Sequence, residues 1–233
     1  MNSEELKMQA AMKRYNIIVI IVLSMITVVS IVLAGMFLWR YVPHHRSGLY
    51  PAGVKKPVIY LYPEEKTNVD VTLLADIICV YPAFDEGTIW HVTAEPDGTL
   101  FDRDGKQYNY LYWEGVSDAD WDFSKGFCVA GKDVSSFLET SLEKLGLTRK
   151  EANEFIVYWL RQMARNEWNV ISFQTDVYTN DAKLIVTPEP DSMIRVFMTW
   201  YASDSYVKME PQEFVTPERT GFTVVEWGGA EVK

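Results

Sequence analysis

Between Tyr15 and Trp39 the chain runs "YNIIVIIVLSMITVVSIVLAGMFLW" without one charged side chain. No other feature restricts the fold as much. A helix of about 20 apolar residues crosses a bilayer, and this run is longer. Lys13 and Arg14 bound it on one side and Arg40 on the other, with Tyr15, Trp39 and Tyr41 at the interfacial positions. A cleaved signal peptide is the alternative, with Val32 to Ala34 as its cleavage site. The apolar stretch continues through Met36, Phe37, Leu38 and Trp39, beyond a signal's apolar core. The expectation is a single-pass anchor embedded in the lipid bilayer through residues 15–39. Basic residues flank both ends, so charge does not set the orientation. A short N-terminal tail favours a cytosolic start and an exported C-terminal domain at the cell membrane.

The sequence then divides into a tail (1–14), the membrane helix (15–39), a linker (40–56) and a soluble domain (57–233). The linker has prolines, glycines and no periodicity. The domain begins at "KPVIYLYP", where Val58 to Tyr62 reads as a strand between two prolines. Strands follow at "NVDVTL", "ADIICVY", "TIWHVTA" and "QYNYLYWE", with Asp-Gly turns at Asp97-Gly98 and Asp104-Gly105. The period then changes. Val134, Phe137, Leu138, Leu142 and Leu145 share a helix face, with Asp133 as N-cap and Gly146 at the C-terminus. A second helix opens on a Thr148–Glu151 capping box. Its apolar stripe is Ala152, Phe155, Ile156, Trp159, Leu160 and Met163. Strands return at "NVISFQT", "AKLIVT", "MIRVFMTWYA" and "FTVVEW". The expected fold class is α+β: an N-terminal transmembrane helix, then one mainly antiparallel β domain with an inserted helical hairpin.

Several residues are candidates for chemistry. Asp118, Asp120 and Asp122 in "SDADWDFSKGFCVAG" open like a calcium loop. Such a loop needs Gly at position six and Glu at position twelve, where Phe123 and Val129 stand. An acidic connection into a helix is the plainer reading, and no metal is assigned. Cys128 as a nucleophile needs a base, and His91 is the domain's one histidine. Cys79 and Cys128 are the only cysteines. In an exported domain they are candidates for a disulfide, closing a loop worth roughly 4 kcal/mol; free packed thiols are the alternative. "YWEG" and "EWGG" each set a carboxylate, Glu114 and Glu226, beside Trp and Gly. Facing each other, the pair would serve as acid and base in an envelope hydrolase. The neighbouring aromatics, Trp113 and Trp227, would instead stack on a sugar ring or belong to the core.

No cofactor motif occurs, and the net charge of −10 argues against nucleic acid as a partner. No catalytic constellation is complete, so the chain reads as a binding or scaffold module at the cell envelope, with an envelope protein or a glycan as its expected partner. The stretches "KPVIYLYP" (56–63), "PDGTL" with "YLYWEG" (96–115), "KLGLTRKEANEFIVYWL" (144–160) and "RTGFTVVEWGG" (219–229) resemble a family of uncharacterised bacterial proteins. So do "WDFSKGFCV" and "PDSMIRVFM". The resemblance covers 56–230 and implies a bacterial source; it implies no activity, cofactor or catalytic residue.

Overall fold

The computed structural model describes residues 52–232 and, apart from them, Met25. The expected tail, membrane helix and most of the linker lie outside the described residues. Among those residues no helix is long and apolar enough to cross a membrane. The α+β expectation is corrected: the fold is mainly β, with 45% strand and 20% helix. Strand takes over stretches read as connections. β1 (Ala52–Tyr62) starts inside the expected linker. β8 (Phe127–Ala130) occupies the acidic connection that was expected to lead directly into a helix.

The other strands are β2 (Thr67–Leu74), β3 (Asp76–Tyr81), β4 (Ile89–Ala94), β5 (Leu100–Phe101), β6 (Gln107–Tyr108), β7 (Leu111–Ser117), β9 (Trp168–Gln174), β10 (Lys183–Thr187), β11 (Ser192–Ser203) and β12 (Thr223–Glu231). They form a seven-stranded sheet, ordered β3-β7-β1-β12-β11-β9-β8, and a five-stranded sheet, ordered β10-β2-β4-β5-β6. "QYNYLYWE" is therefore two strands, β6 in one sheet and β7 in the other. The large sheet is not wholly antiparallel: β11 and β12 pair in parallel. Their crossover, residues 204–222, contains no helix. Gln212 pins it to β9 by accepting the Phe173 N–H and donating to the Phe173 carbonyl, both at 2.8 Å.

The helices within residues 52–232 are α1 (Val134–Lys144), α2 (Arg149–Met163) and the short α3 (Asp176–Asp181), which the sequence reading missed. Asp133 makes no side-chain cap to α1; a 3-10 turn, Gly131–Asp133, leads in instead. The Thr148–Glu151 capping box is present on α2. Arg219 from the crossover also pairs with the Glu151 carboxylate.

Strand alternation builds two cores on the two faces of the large sheet. Ile59, Leu61, Trp113, Phe197 and Val224 meet Val71, Trp90 and Leu100 of the small sheet. Val58, Tyr60, Val225, Trp227 and Trp200 meet Leu138, Phe155 and Trp159 of α1 and α2. Trp159 lies edge-on to Trp200, with centroids 6.4 Å apart. Its ring leaves no room at β12: a Cβ on Gly229 would sit 2.8 Å from it and 2.5 Å from the Met198 carbonyl. That close approach is why "EWGG" needs glycine there.

Candidate functional site

The most unusual backbone in the domain is at Lys56. It is the one non-glycine residue with positive φ, 58°, among the described residues. On β1, Lys55 pairs with Gly229 and Val58 with Trp227, so three steps on β1 answer two on β12. The extra residue is a β-bulge, and bulges re-aim side chains. The Lys56 N–H donates to Glu114 Oε1 at 3.3 Å. Its Nζ donates to the Tyr110 hydroxyl at 3.3 Å. The ammonium lies 5.0 Å from the Tyr110 ring centroid and 5.6 Å from that of Tyr112, a cation–π geometry. Tyr110 in turn meets Tyr60 edge-on at 5.4 Å.

This cluster opens on a cleft of about 900 Å³ between the bulge and α2. The strand side supplies Lys55, Lys56 and Glu114. The helix side supplies Asn153, Glu154, Val157, Tyr158, Arg161 and Gln162, on the part of α2 beside its buried stripe. Val157 is 69% exposed, an apolar side chain facing out among polar ones. Glu154 is fixed by the Tyr60 hydroxyl, which donates to Oε2 at 3.0 Å. Burial, and then the Glu114 carboxylate, raise the ionisation of Tyr112 and of Tyr158 above the ordinary phenol range. Both phenols thus face Glu114 as neutral groups. The site offers aromatic rings, an apolar contact and side chains of both charge signs, of which Lys56, Glu114 and Glu154 are held by hydrogen bonds. That set suits a neutral, hydroxyl-rich ligand with one apolar face.

Glu114 and Glu226 are not brought together. Glu114 and Tyr112 point to the helix side of the large sheet, whereas Glu226 alternates with Val225 and Trp227 and points to the other face. There Glu226 is wholly buried, 2.6 Å from Arg195 Nε, and accepts the Trp113 Nε1–H at 3.0 Å. Arg195 also donates to the Ala182 carbonyl at 2.7 Å and stacks 4.7 Å from the Tyr178 centroid. This ion pair ties β11 and β12 to α3 and the start of β10. Trp113 and Trp227 are buried in the two cores, so neither offers a sugar its ring.

The disulfide expectation is corrected: Cys79 and Cys128 are both free. They sit on β3 and β8, the opposite edges of the seven-stranded sheet. Six strand spacings put the two edges about 29 Å apart, against the roughly 7 Å that a disulfide spans between Cα atoms. Cys128 Sγ accepts the Val207 N–H at 3.2 Å, on the crossover. His91 is elsewhere, on the outer face of the small sheet, 2.5 Å from Asp70 Oδ1. Asp118, Asp120 and Asp122 are exposed in the β7–β8 connection. Asp122 Oδ1 accepts the Ser124 N–H at 2.7 Å, an Asx turn, and the Asp122 backbone is gripped by the Gln174 amide. Among the described residues no three His, Cys, Asp or Glu side chains gather as metal ligands would.

The sequence reading missed Lys56, Tyr112 and Tyr158. A signal was available for Tyr112: Tyr108, Tyr110 and Tyr112 recur at the strand period of two, as do Tyr60 and Tyr62.

Fold and cleft together define a two-sheet, mainly β domain with an open, tyrosine-bordered polar site. An uncharacterised protein in the bglA 3′ region of Butyrivibrio fibrisolvens is 43% identical over 63 residues, 26% of this chain. The chain spans 65% of that relative's length. No family model and no solved structure matches.

Proposed function

We propose that the domain is a glycan-binding module working at the cell envelope, with the cleft between the β1 bulge and α2 as its binding site. The observation that carries this reading is Lys56, held at φ 58° with its N–H on Glu114 and its ammonium over two tyrosines. A left-handed backbone costs a non-glycine residue about 1–2 kcal/mol. Such strain persists where surrounding structure enforces it, and it concentrates at binding sites. A sugar ring has an apolar C–H face and a rim of hydroxyls that both donate and accept. Tyr158 and Val157 suit the face; Glu114, Glu154, Asn153 and Gln162 accept or donate along the rim, and Lys55, Lys56 and Arg161 donate.

The test is a glycan array probed with the full chain, followed by calorimetric titration of the best saccharide. Each hydrogen bond between a charged side chain and a hydroxyl contributes about 1.5–3 kcal/mol, so Lys56→Gly and Glu114→Gln should each weaken binding about tenfold or more. Retention of no saccharide by the wild-type chain would refute the reading.

A further inference from the structure

We infer that the ligand is an extended oligosaccharide, bound along a track of tyrosines that leads from this cleft to a second one beyond the edge of the large sheet. The inference rests on the glycan reading and adds the length and path of the ligand. On β7, Tyr112 is the direct register partner of Tyr81 on β3. Paired residues in an antiparallel ladder leave the sheet on the same side, one strand spacing of about 4.8 Å apart. That interval is comparable to one sugar unit of an extended chain. β3 is an edge strand, and Tyr81 is 63% exposed there. The Tyr81 ring meets the Tyr108 ring edge-on, with centroids 5.6 Å apart.

Tyr81 and Tyr108 line a cleft of about 560 Å³ together with Asp85, Arg103 and Lys106. The second cleft thus repeats the character of the first, with aromatic rings beside donors and acceptors of both signs. The Tyr108 hydroxyl donates to Asp102 at 2.8 Å, which fixes its ring, and that hydrogen bond raises its ionisation to about 12. Tyr108, Tyr81 and Tyr112 then lead to Lys56 and Tyr110, each step a ring contact, a strand pair or an ammonium over a ring. One short sugar fills one cleft; a chain of several units is needed to reach both.

The experiment measures binding of the full chain to chitobiose, chitohexaose, cellobiose and cellohexaose. Within the series that binds, the six-unit sugar should bind about tenfold or more tighter than the two-unit one. Tyr81→Ala, on an exposed edge, should remove that gain and so weaken the six-unit sugar far more than the two-unit one. Lys56→Gly should weaken both lengths. Equal affinity for both lengths, or a full length effect in Tyr81→Ala, would overturn the track while sparing the glycan reading. Binding of an unstructured peptide but of no sugar would overturn both.

Discussion

Glu226 Oε2 and Arg195 Nε meet 2.6 Å apart, with the two side chains 0% and 8% exposed. They pair across the parallel β11–β12 ladder, where Arg195 stands opposite Glu226. Removing one partner leaves the other charge buried and unpaired, at a cost of about 3–5 kcal/mol. Glu226→Ala should therefore unfold at a much lower denaturant concentration than the wild type. Replacing both residues with apolar ones, Glu226→Leu with Arg195→Met, should recover most of the loss. A Glu226→Ala variant of unchanged stability would show that the pair does not hold these strands to α3.

Lys56 makes a second prediction that separates backbone from side chain. Lys56→Ala and Lys56→Gly both remove the ammonium from Tyr110 and Tyr112. Only glycine relieves the φ of 58°. The glycine variant should be the more stable of the two by about 1 kcal/mol. Equal thermal midpoints would mean that the bulge relaxes freely once the lysine is gone.

Gly229 lies so close to Trp159 that a side chain there would meet its ring. Gly229→Ala would place a Cβ 2.8 Å from the Trp159 ring. Overpacking of this kind costs typically about 1–3 kcal/mol. Trp159→Ala should cost more, about 3–5 kcal/mol, because it empties a buried site on α2. In the double variant the clash with the ring is gone and that with the Met198 carbonyl stays, so the combined loss should be smaller than the sum of the two; strict additivity in a double-mutant cycle would refute the ring contact.

Alkaline titration reads the tyrosine cluster. Burial first, and then Glu154, Glu151 and Glu114 respectively, hold the Tyr60, Tyr62 and Tyr112 phenols above the ordinary range. A raised folded-state value means that these groups contribute stability fully below about pH 10, the unfolded phenol value. That contribution is lost as pH climbs beyond it towards the folded values. Tyrosinate absorbance from these residues should therefore appear together with unfolding, not before it. A smooth titration of every tyrosine in a folded protein would contradict the burial.

The free cysteines give a simple control. A reducing agent should leave the melting temperature unchanged, and so should Cys79→Ser in oxidising buffer, because the two thiols lie on opposite sheet edges.

By itself the sequence determined the local elements whose chemistry is self-contained. The Thr148–Glu151 box forms among residues three apart, and the stripe from Ala152 to Met163 faces inward because its spacing matches one helix face. Asp-Gly at 97–98 and 104–105 turns the chain, with positive φ at both glycines. Tertiary structure decided everything that depends on which strands become neighbours. Both carboxylates of "YWEG" and "EWGG" follow a tryptophan or precede one, yet strand parity sends Glu114 to the helix side and Glu226 to the inter-sheet side. One residue of offset in a period of two reverses the face, and sequence proximity to Trp does not reveal it. The two cysteines are separated by strand order, which no local spacing encodes. The cleft forms where an extra residue in β1 turns Lys56 towards Tyr110, just before β7, and Tyr112 and Glu114 on it, beside a helix more than ninety residues onward. Bulge, register and helix packing are cooperative choices of the whole chain, made where burying Trp159, Trp200 and Trp227 outweighs the local strain at one lysine.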